Sequence, residues 1–210
     1  MAFRTKTKKR SKVVDSSLKL ISIAFTMLKK AISKISDEEV KDIYALSFFI
    51  YDIDDDPRTP ELTLGYNTLT NYEESKSKSK PTASDNEEAK WNYAFWLQNY
   101  LCVIGEHGTE SGNALESWIG DIGLAYTDEE EDDDFDNCMI LGREITTRFV
   151  QLVVDLAKLL HANGIIEKKF KRPIPIIVHE LEYYDQIVTQ TREANPPGLA
   201  EEFAQWVEGM

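Results

Sequence analysis

The stretch IYALSFFIY at residues 43–51 decides the fold, because it is a nearly unbroken run of aromatic and branched side chains. Such a run is typical of a buried strand. Residues 52–60 follow with four aspartates and two prolines, which is the composition of a turn. Residues 62–66, LTLGY, then alternate between apolar and polar side chains, as a returning strand does. The two runs predict a hairpin.

Apolar residues at helical spacing lie on both sides of this hairpin. Before it, one stripe comprises Leu18, Ile21, Phe25, Leu28, Ile32 and Ile35. After it, residues 113–125 carry a second stripe, and the strongest one comprises Ile145, Phe149, Leu152, Val153, Leu156, Leu159 and Leu160. Steps of three and four residues predict amphipathic helices that bury one face. A short strand at 173–178, a helix to about Arg192 and a short helix at 199–207 are predicted to follow.

Residues 91–97, WNYAFWL, also form an alternating pattern, which gives a further prediction about the sheet. Trp91, Tyr93, Phe95 and Leu97 would lie on one face of an extended chain, which predicts a further strand of the sheet. An aromatic stripe can also be a platform on which bases or sugars stack. In an acidic protein we favour the interpretation that this stripe belongs to the core.

These elements together predict an α+β fold, in which a mainly antiparallel sheet packs against several helices. A length of 210 residues suits one domain, which we place at residues 15–210. Residues 1–14 are basic and are predicted to form a flexible tail. Flexible loops are expected near residues 72–88, which are polar and rich in Ser and Lys, and near residues 127–137, which are strongly acidic.

The net charge of −13 is divided unevenly along the chain. Residues 1–35 hold ten Lys and Arg against Asp15 alone, whereas residues 36–210 hold fourteen against thirty-six Asp and Glu, a net charge of −22. Such a body repels nucleic acid and speeds its encounter with basic partners. We expect it to bind a basic protein and no nucleic acid. For the basic tail we favour a solvated segment. The alternatives are that it binds nucleic acid or folds back on the acidic body, and no partner is predicted for it.

The densest negative charge is the segment DEEEDDDFD, which we regard as the main candidate for partner binding. It comprises Asp128, Glu129, Glu130, Glu131, Asp132, Asp133, Asp134, Phe135 and Asp136. A smaller cluster comprises Asp54, Asp55 and Asp56. The first segment is a solvated loop or a surface for a basic partner, with Phe135 as an apolar anchor. Metal binding is a third interpretation, which is less favoured because a site for a hard cation needs ligands folded around one point. A calcium loop starting at Asp52 is not favoured, because an EF-hand needs a glycine and a glutamate where Pro57 and Thr63 stand.

The cysteines and the apolar runs indicate what to expect of metal sites and of cellular location. Cys102 and Cys138 lie 36 positions apart without a CxxC motif or a nearby pair of histidines, so buried reduced thiols are expected and no metal site. We also expect no cofactor. The apolar runs are too short for a transmembrane segment, and the basic N-terminus lacks the apolar stretch of a signal peptide. A soluble, cytoplasmic protein is therefore expected.

One segment brings a histidine, carboxylates and tyrosines together. Its candidate acid/base residues are His179, Glu180, Glu182 and Asp185. Such groups can catalyse hydrolysis or group transfer where they converge on a pocket. The same carboxylates also suit the first turn of a helix, where the helix dipole stabilises them. Because the sequence holds no HExxH, GxSxG, Walker or GxGxxG motif, we favour the structural interpretation.

The order of elements resembles that of a known family. It runs from a first helix through the strand IYALSFFIYD, a partner closing on Asn67-Thr68, the segment KWNYAFWLQN and a long helix ending in HANGII to a last strand and helix near ANPP. Over roughly residues 15–208 this order resembles an uncharacterised bacterial domain family whose members resemble immunity proteins that neutralise polymorphic toxins. The resemblance implies an α+β fold and a bacterial origin, and it implies no functional residue.

The sequence therefore favours a non-enzymatic binding protein over two alternatives. In the favoured hypothesis, the chain is an immunity protein whose acidic surface covers a basic partner, such as a nuclease toxin. The first alternative is a hydrolase or transferase with a His/carboxylate site near His179. The second is an interaction domain whose charge only maintains solubility.

Overall fold

A computed structural model describes the backbone of residues 2–76 and 83–210 and the side chains of residues 13–76 and 83–210. Its α-helices are α1 (Ala2–Lys34), α2 (Glu39–Asp42), α3 (Leu69–Ser75), α4 (Asn86–Trp91), α5 (Glu110–Ile122), α6 (Asp128–Asp133), α7 (Phe135–Ala162), α8 (Ile165–Phe170), α9 (Asp185–Ala194) and α10 (Glu201–Glu208). Its strands are β1 (Ile43–Asp52), β2 (Pro60–Thr68), β3 (Cys102–Ile104) and β4 (Ile176–His179). Short 3-10 helices lie at Ile53–Asp55 and Tyr93–Phe95.

The predicted hairpin forms the middle of a mixed sheet with the order β3-β2-β1-β4. β1 pairs antiparallel with β2, so that Phe48 lies opposite Leu64. β2 pairs antiparallel with β3, whereas β4 runs parallel to β1. The predicted α+β fold, mainly antiparallel and organised as a single domain, is confirmed.

The sheet is buried on both faces, which explains why β1 has so few polar residues. Leu46, Phe48 and Ile50 point into the larger core, which is completed by α1, α5 and α7. Ala45 and Phe49 point into a second core rich in aromatic residues, whose other members come from β4, from the segment around α4, from α9 and from α10. Alternate residues of one strand face opposite sides of a sheet, so a strand between two cores must be apolar on both.

The outer edge of β4 is occupied by side chains of α9 and its end. Ile176 donates its N–H to Asn195 Oδ1 at 2.8 Å and accepts from Asn195 Nδ2 at 2.7 Å. Val178 donates to Thr191 Oγ1 at 3.1 Å and accepts from Gln190 Nε2 at 2.9 Å. These backbone groups would otherwise be buried without partners, at a cost in free energy. Helix α9 therefore satisfies the strand as a neighbouring strand would.

The predicted strand at residues 91–97 is wrong. Trp91 ends helix α4, and residues 93–95 form a 3-10 helix. Asp85 caps α4 by accepting from the N–H of Glu88 at 2.8 Å, and Asn92 caps the 3-10 helix by accepting from the N–H of Ala94 at 2.9 Å. Trp91 and Tyr93 of the stripe are still buried in the aromatic core, together with Trp96 from the opposite set. Phe95 is half-buried and Leu97 is exposed, so the core interpretation holds for part of the stripe.

Two segments that were expected to lack regular structure are helical. Residues 128–133 form α6, and α7 already begins at Phe135, so most of the expected loop at 127–137 is helix. The backbone of α1 begins at Ala2 and thus continues through the expected tail at 1–14, whose side chains at 1–12 lie outside the described residues. The expected loop at 72–88 is also helical at both ends, where it overlaps α3 and α4, and its residues 77–82 lie outside the described residues.

The buried stripe of α1 differs from the predicted one. Leu28, Ile32 and Ile35 are buried as expected, but Leu18 is 60% exposed, whereas Leu20 and Ala24 are fully buried. A search for large apolar residues overlooks a small residue such as Ala24, which lets a neighbouring helix approach closely. Within residues 2–76 and 83–210, none of the helices combines the length and the apolar character that a membrane crossing requires.

Candidate functional site

The loop of the β1/β2 hairpin presents its aspartates on a tight turn. Asp54 and Asp55 adopt left-handed backbone angles, with φ of 55° and 59°. Aspartate tolerates this region better than most residues, because its short side chain can bond locally. Thr59 closes the loop by donating its hydroxyl to the backbone oxygens of Ile53 and Asp56. The side chains of Asp54 and Asp55 are consequently exposed.

The acidic helix α6 follows from a capping motif that lies before the charged run. Thr127 Oγ1 accepts from the N–H of Glu130 at 3.2 Å, and the Glu130 carboxylate accepts from the N–H of Thr127 at 2.9 Å. This capping box satisfies backbone donors that a helix start leaves free. The positive end of the helix dipole also stabilises carboxylates in the first turn. Six consecutive acidic residues can therefore stay helical.

Arg58 connects the hairpin loop to α6. Its guanidinium contacts Asp56 Oδ2 at 2.7 Å and Asp128 Oδ1 at 2.6 Å, and it lies 3.9 Å from Glu131 Oε2. It also lies over the ring of Tyr126, 5.0 Å from the ring centre. The hydrogen bonds to Asp56 and Asp128 raise the pKa of the guanidinium. Burial acts to raise the pKa of Asp56, but its bonds to Arg58 together outweigh burial and keep this pKa below its usual value. The two acidic clusters thus form one surface, the acidic face, which comprises residues 54–56 and 128–136.

A close approach of the loop to α7 makes this arrangement possible. A Cβ atom added to Gly142 would lie 2.7 Å from Pro57 Cγ and 3.3 Å from the Tyr126 hydroxyl. Contacts below 3.0 Å do not occur at real Cβ atoms, so a side chain here would push the loop away from the helix. Gly142 is buried beneath the loop and therefore helps to hold the two parts of the acidic face together.

We expect the replacement of Arg58 by alanine to loosen the acidic face without unfolding the domain. The carboxylates of Asp56 and Asp128 would repel each other without the cation between them. Because the side chains of this bridge are partly exposed, we expect the free energy of unfolding to fall by about 1 kcal/mol. Amide hydrogen exchange in residues 53–59 and 128–133 should accelerate about fivefold. Mass spectrometry of the exchanged protein measures this directly.

The control for this experiment is Arg148→Ala, which removes an equal charge from α7. Arg148 contacts Glu144 of the same helix at 2.7 Å and does not join two segments. Its replacement should leave exchange in the hairpin loop unchanged. Equal acceleration in both variants would show that the overall charge, and not the Arg58 bridge, controls the loop.

Apolar side chains are exposed beside the acidic face. On the first turns of α7, Phe135 is 59% exposed and Ile140 is 63% exposed, and Met139 is exposed as well. Large apolar side chains ringed by polar ones are typical of surfaces that contact other proteins. The structure therefore places an apolar strip next to the carboxylates of α6.

His179, the centre of the enzymatic alternative, is buried. Its Nδ1–H donates to the backbone oxygen of Glu180 at 2.9 Å, so Nε2 accepts from Ser47 Oγ at 2.7 Å. Burial lowers the pKa of the imidazole to about 4. Its neighbours are the rings of Phe49, Tyr93, Trp96 and Tyr183. Ser47 and His179 have the spacing of a nucleophile and its base, but each is only 1% exposed and neither meets solvent.

Next to His179 lies a cleft with a volume of about 670 Å³. It forms where β1 and β4 end, because the carboxyl ends of two parallel strands lie at the same edge of a sheet. Asp52 ends β1, and Glu180 and Glu182 follow β4 in the chain. Asp55 and Thr146 line the cleft from the hairpin loop and from α7. Asp185, the third acid of the predicted segment, begins α9 and does not line the cleft.

No family model, curated protein or solved structure matched this chain.

The described residues offer limited means of holding a metal. Within residues 2–76 and 83–210, no group of three or more His, Cys, Asp or Glu side chains is arranged to hold an ion. Cys102 and Cys138 are both free thiols, of which Cys138 is buried and Cys102 is partly buried. In the hairpin loop, Asp56 pairs with Arg58, whereas Asp54 and Asp55 are exposed.

Several residues of the site had no clear signal in the sequence. Arg58 lies among aspartates and two prolines. The only sign of a bridge in the sequence is that this cation stands among acidic residues. Thr127 and Glu130 do form the Thr-x-x-Glu pattern of a capping box, which was a detectable sign of helix α6. The approach of Pro57 to Gly142 depends on long-range packing, so no local pattern indicates it.

Proposed function

We propose that this chain is a non-enzymatic binding protein whose acidic face covers a basic surface of a partner protein. One observation carries the proposal: Arg58 binds both Asp56 and Asp128, which lies 70 positions further along the chain, and so joins the two acidic clusters into one surface. A charge that served only solubility would not need such a bridge. The same surface has an apolar strip, and apolar contacts give protein interfaces much of their stability.

The charge of the acidic face suits a basic partner in two ways. Opposite charges accelerate the encounter of two proteins, and they exclude partners with negative surfaces. Arg58 offsets only part of the negative charge, because Glu129, Asp132, Asp133 and Asp136 remain exposed around it. Phe135 lies among these carboxylates and would be covered when a partner binds.

We further propose that the partner is a toxin and that the chain neutralises it as an immunity protein. This part rests on the order of elements that resembles the bacterial family and on the acidic face as a cover for a basic active site. A nuclease toxin is the class that fits best, because an enzyme that binds nucleic acid has a basic active-site surface.

The proposal predicts capture of a basic protein that depends on both salt and the acidic face. The immobilised chain, exposed to an extract of the organism that encodes it, should retain a basic protein at about 0.05 M salt and release most of it at about 0.5 M. In the triple variant Glu129→Lys, Asp132→Lys and Asp133→Lys, we expect affinity for that protein to fall about 100-fold, since like charges would face each other. Calorimetry with the purified partner measures the difference.

The matched control changes the same number of charges elsewhere. Glu38→Lys, Glu87→Lys and Glu106→Lys alter exposed residues outside the acidic face and should leave binding close to that of the original chain. If both triple variants lose binding equally, only the overall charge matters, and the proposed surface is incorrect. For the toxin part, the captured protein should degrade nucleic acid, and an equimolar amount of the chain should stop this.

A further inference from the structure

The cleft at the ends of β1 and β4 combines two kinds of wall. Carboxylates of Asp52, Asp55, Glu180 and Glu182 border it. Its other walls are largely aromatic, with contributions from Phe49, Tyr51, Tyr93, Tyr100 and Tyr184. Among the described residues, neither lysine nor arginine lines the cleft. The cleft is therefore negative and apolar at once, which disfavours anions and suits organic cations.

Asp52 is the least satisfied of these carboxylates. Its Oδ1 atom is buried and has no hydrogen-bond partner among the described residues. Burial, followed by the charges of Glu180, Asp56 and Asp55, raises its pKa to about 6. A buried oxygen without a donor costs free energy. This atom is shielded from solvent, but the Asp52 carboxylate as a whole is only partly buried and borders the cleft, so a donor in the cleft would meet its accessible part. Asp52 therefore indicates where a donor group would lie.

The mouth of the cleft is exposed and apolar, as expected of a surface that receives another protein. Leu181 is 73% exposed, Tyr100 is 65% exposed and Tyr184 is 42% exposed. The Tyr184 hydroxyl donates to the carboxylate of Glu180 at 2.9 Å, which holds both at the rim. Tyrosines are enriched where interfaces bind tightly, since they bury area at little cost in conformational entropy.

We propose that this cleft receives an arginine side chain from the basic partner. A guanidinium is planar, stacks on aromatic rings and donates to two carboxylates at once, whereas an ammonium is a compact and strongly hydrated charge. The alkyl part of the side chain would contact the apolar mouth, and the guanidinium would reach Asp52. The inference rests on the proposed function and specifies one contact of that interface.

A peptide probe tests the cleft without the partner. The peptides acetyl-Gly-Arg-Gly-amide, its lysine counterpart and its citrulline counterpart would be titrated into the ¹⁵N-labelled chain while amide shifts are recorded. Citrulline has nearly the shape of arginine and no charge. The arginine peptide should shift the amides of residues 51–55 and 179–184, with binding at least about tenfold tighter than that of either counterpart. Free spermidine, an amine without a planar group, should bind no better than the lysine peptide.

Two variants make the test specific. Asp52→Asn keeps the size of the side chain and should weaken binding of the arginine peptide about tenfold or more. Glu182→Gln, at an exposed position of the rim, should weaken it less and provides a second test if Asp52→Asn is poorly folded. Asp132→Asn, on the acidic face, should have no effect.

The inference is overturned if the arginine peptide does not bind, if citrulline, lysine or spermidine binds as tightly, or if Asp52→Asn binds unchanged. These results are independent of the capture experiment, which depends on residues 129–133. Capture that survives without peptide binding would refute the cleft alone. Peptide binding without salt-sensitive capture would refute the proposed function and leave an arginine-binding cleft.

Discussion

Replacing Asn195 by alanine is expected to lower the free energy of unfolding by about 4 kcal/mol, the largest effect on stability that we predict. Asn195 Nδ2 donates to the backbone oxygens of Ile176 and Thr191, each at 2.7 Å. Its Oδ1 accepts from the N–H of Ile176 at 2.8 Å and lies 3.1 Å from His161 Nε2. Alanine would leave several buried donors and acceptors without partners, and each costs about 1 to 3 kcal/mol.

Denaturant unfolding followed by circular dichroism measures this loss. Asn163→Ala is the control, because Asn163 is exposed and donates one hydrogen bond to the last turn of α7. We expect it to cost below about 1 kcal/mol. If Asn195→Ala loses no more than this control, water or neighbouring groups replace the missing hydrogen bonds, and Asn195 does not stabilise the edge of β4 as proposed.

Acid is expected to destabilise the domain through His179. The pKa of this imidazole is about 4 in the folded chain, because burial disfavours its charged form, and the ordinary value is 6.5. The unfolded chain therefore takes up the proton first as the pH falls. The contribution of His179 to the free energy of unfolding is fully present above about pH 6.5. It is lost as the pH falls from there to about pH 4, and the expected loss is about 3 kcal/mol.

The contribution of His179 can be isolated by comparing pH profiles. His179→Gln keeps groups that can bond Ser47 and the backbone of Glu180 but cannot take up a proton in this range. Between about pH 7 and about pH 4, the free energy of unfolding of this variant should fall by about 3 kcal/mol less than that of the original chain. Asp52, whose raised pKa of about 6 has the opposite effect in this window, is present in both proteins. His161, whose pKa burial also lowers, is likewise unchanged in both.

His107→Gln is the matched control, since it removes an imidazole that is largely exposed. Its profile should follow that of the original chain. If His179→Gln has the same acid sensitivity as this control, His179 is not the group that responds. A direct titration of the His179 ring by NMR tests the same point if the variant does not fold.

The centre of the fold could be predicted from the sequence because it depends on local patterns. The run at residues 43–51, the turn rich in aspartate and the alternation at 62–66 each predict an element, and their succession predicts the hairpin. The segment 91–97 could not be assigned in the same way. Alternating aromatic residues indicate which side chains are buried, but the caps Asp85 and Asn92 decide that the backbone is helical.

The sequence indicated candidate residues of the site but not how they are arranged, and it gave no clear sign of Arg58. The sequence singled out both acidic clusters and the segment 179–185 as charged groups. Their relation depends on contacts between distant parts of the chain, above all the bridge of Arg58 and the parallel pairing of β4 with β1. A parallel neighbour can join a strand through many different connections, so the sequence alone could not place Glu180 beside Asp52.

The way in which α9 occupies the outer edge of β4 also determines how this protein can associate. An open strand edge invites a second chain to add its own strand, which leads to swapped dimers or fibrils. Here Asn195, Thr191 and Gln190 already fill the outward donors and acceptors of Ile176 and Val178. Backbone addition is closed at this edge, and recognition there must proceed through side chains.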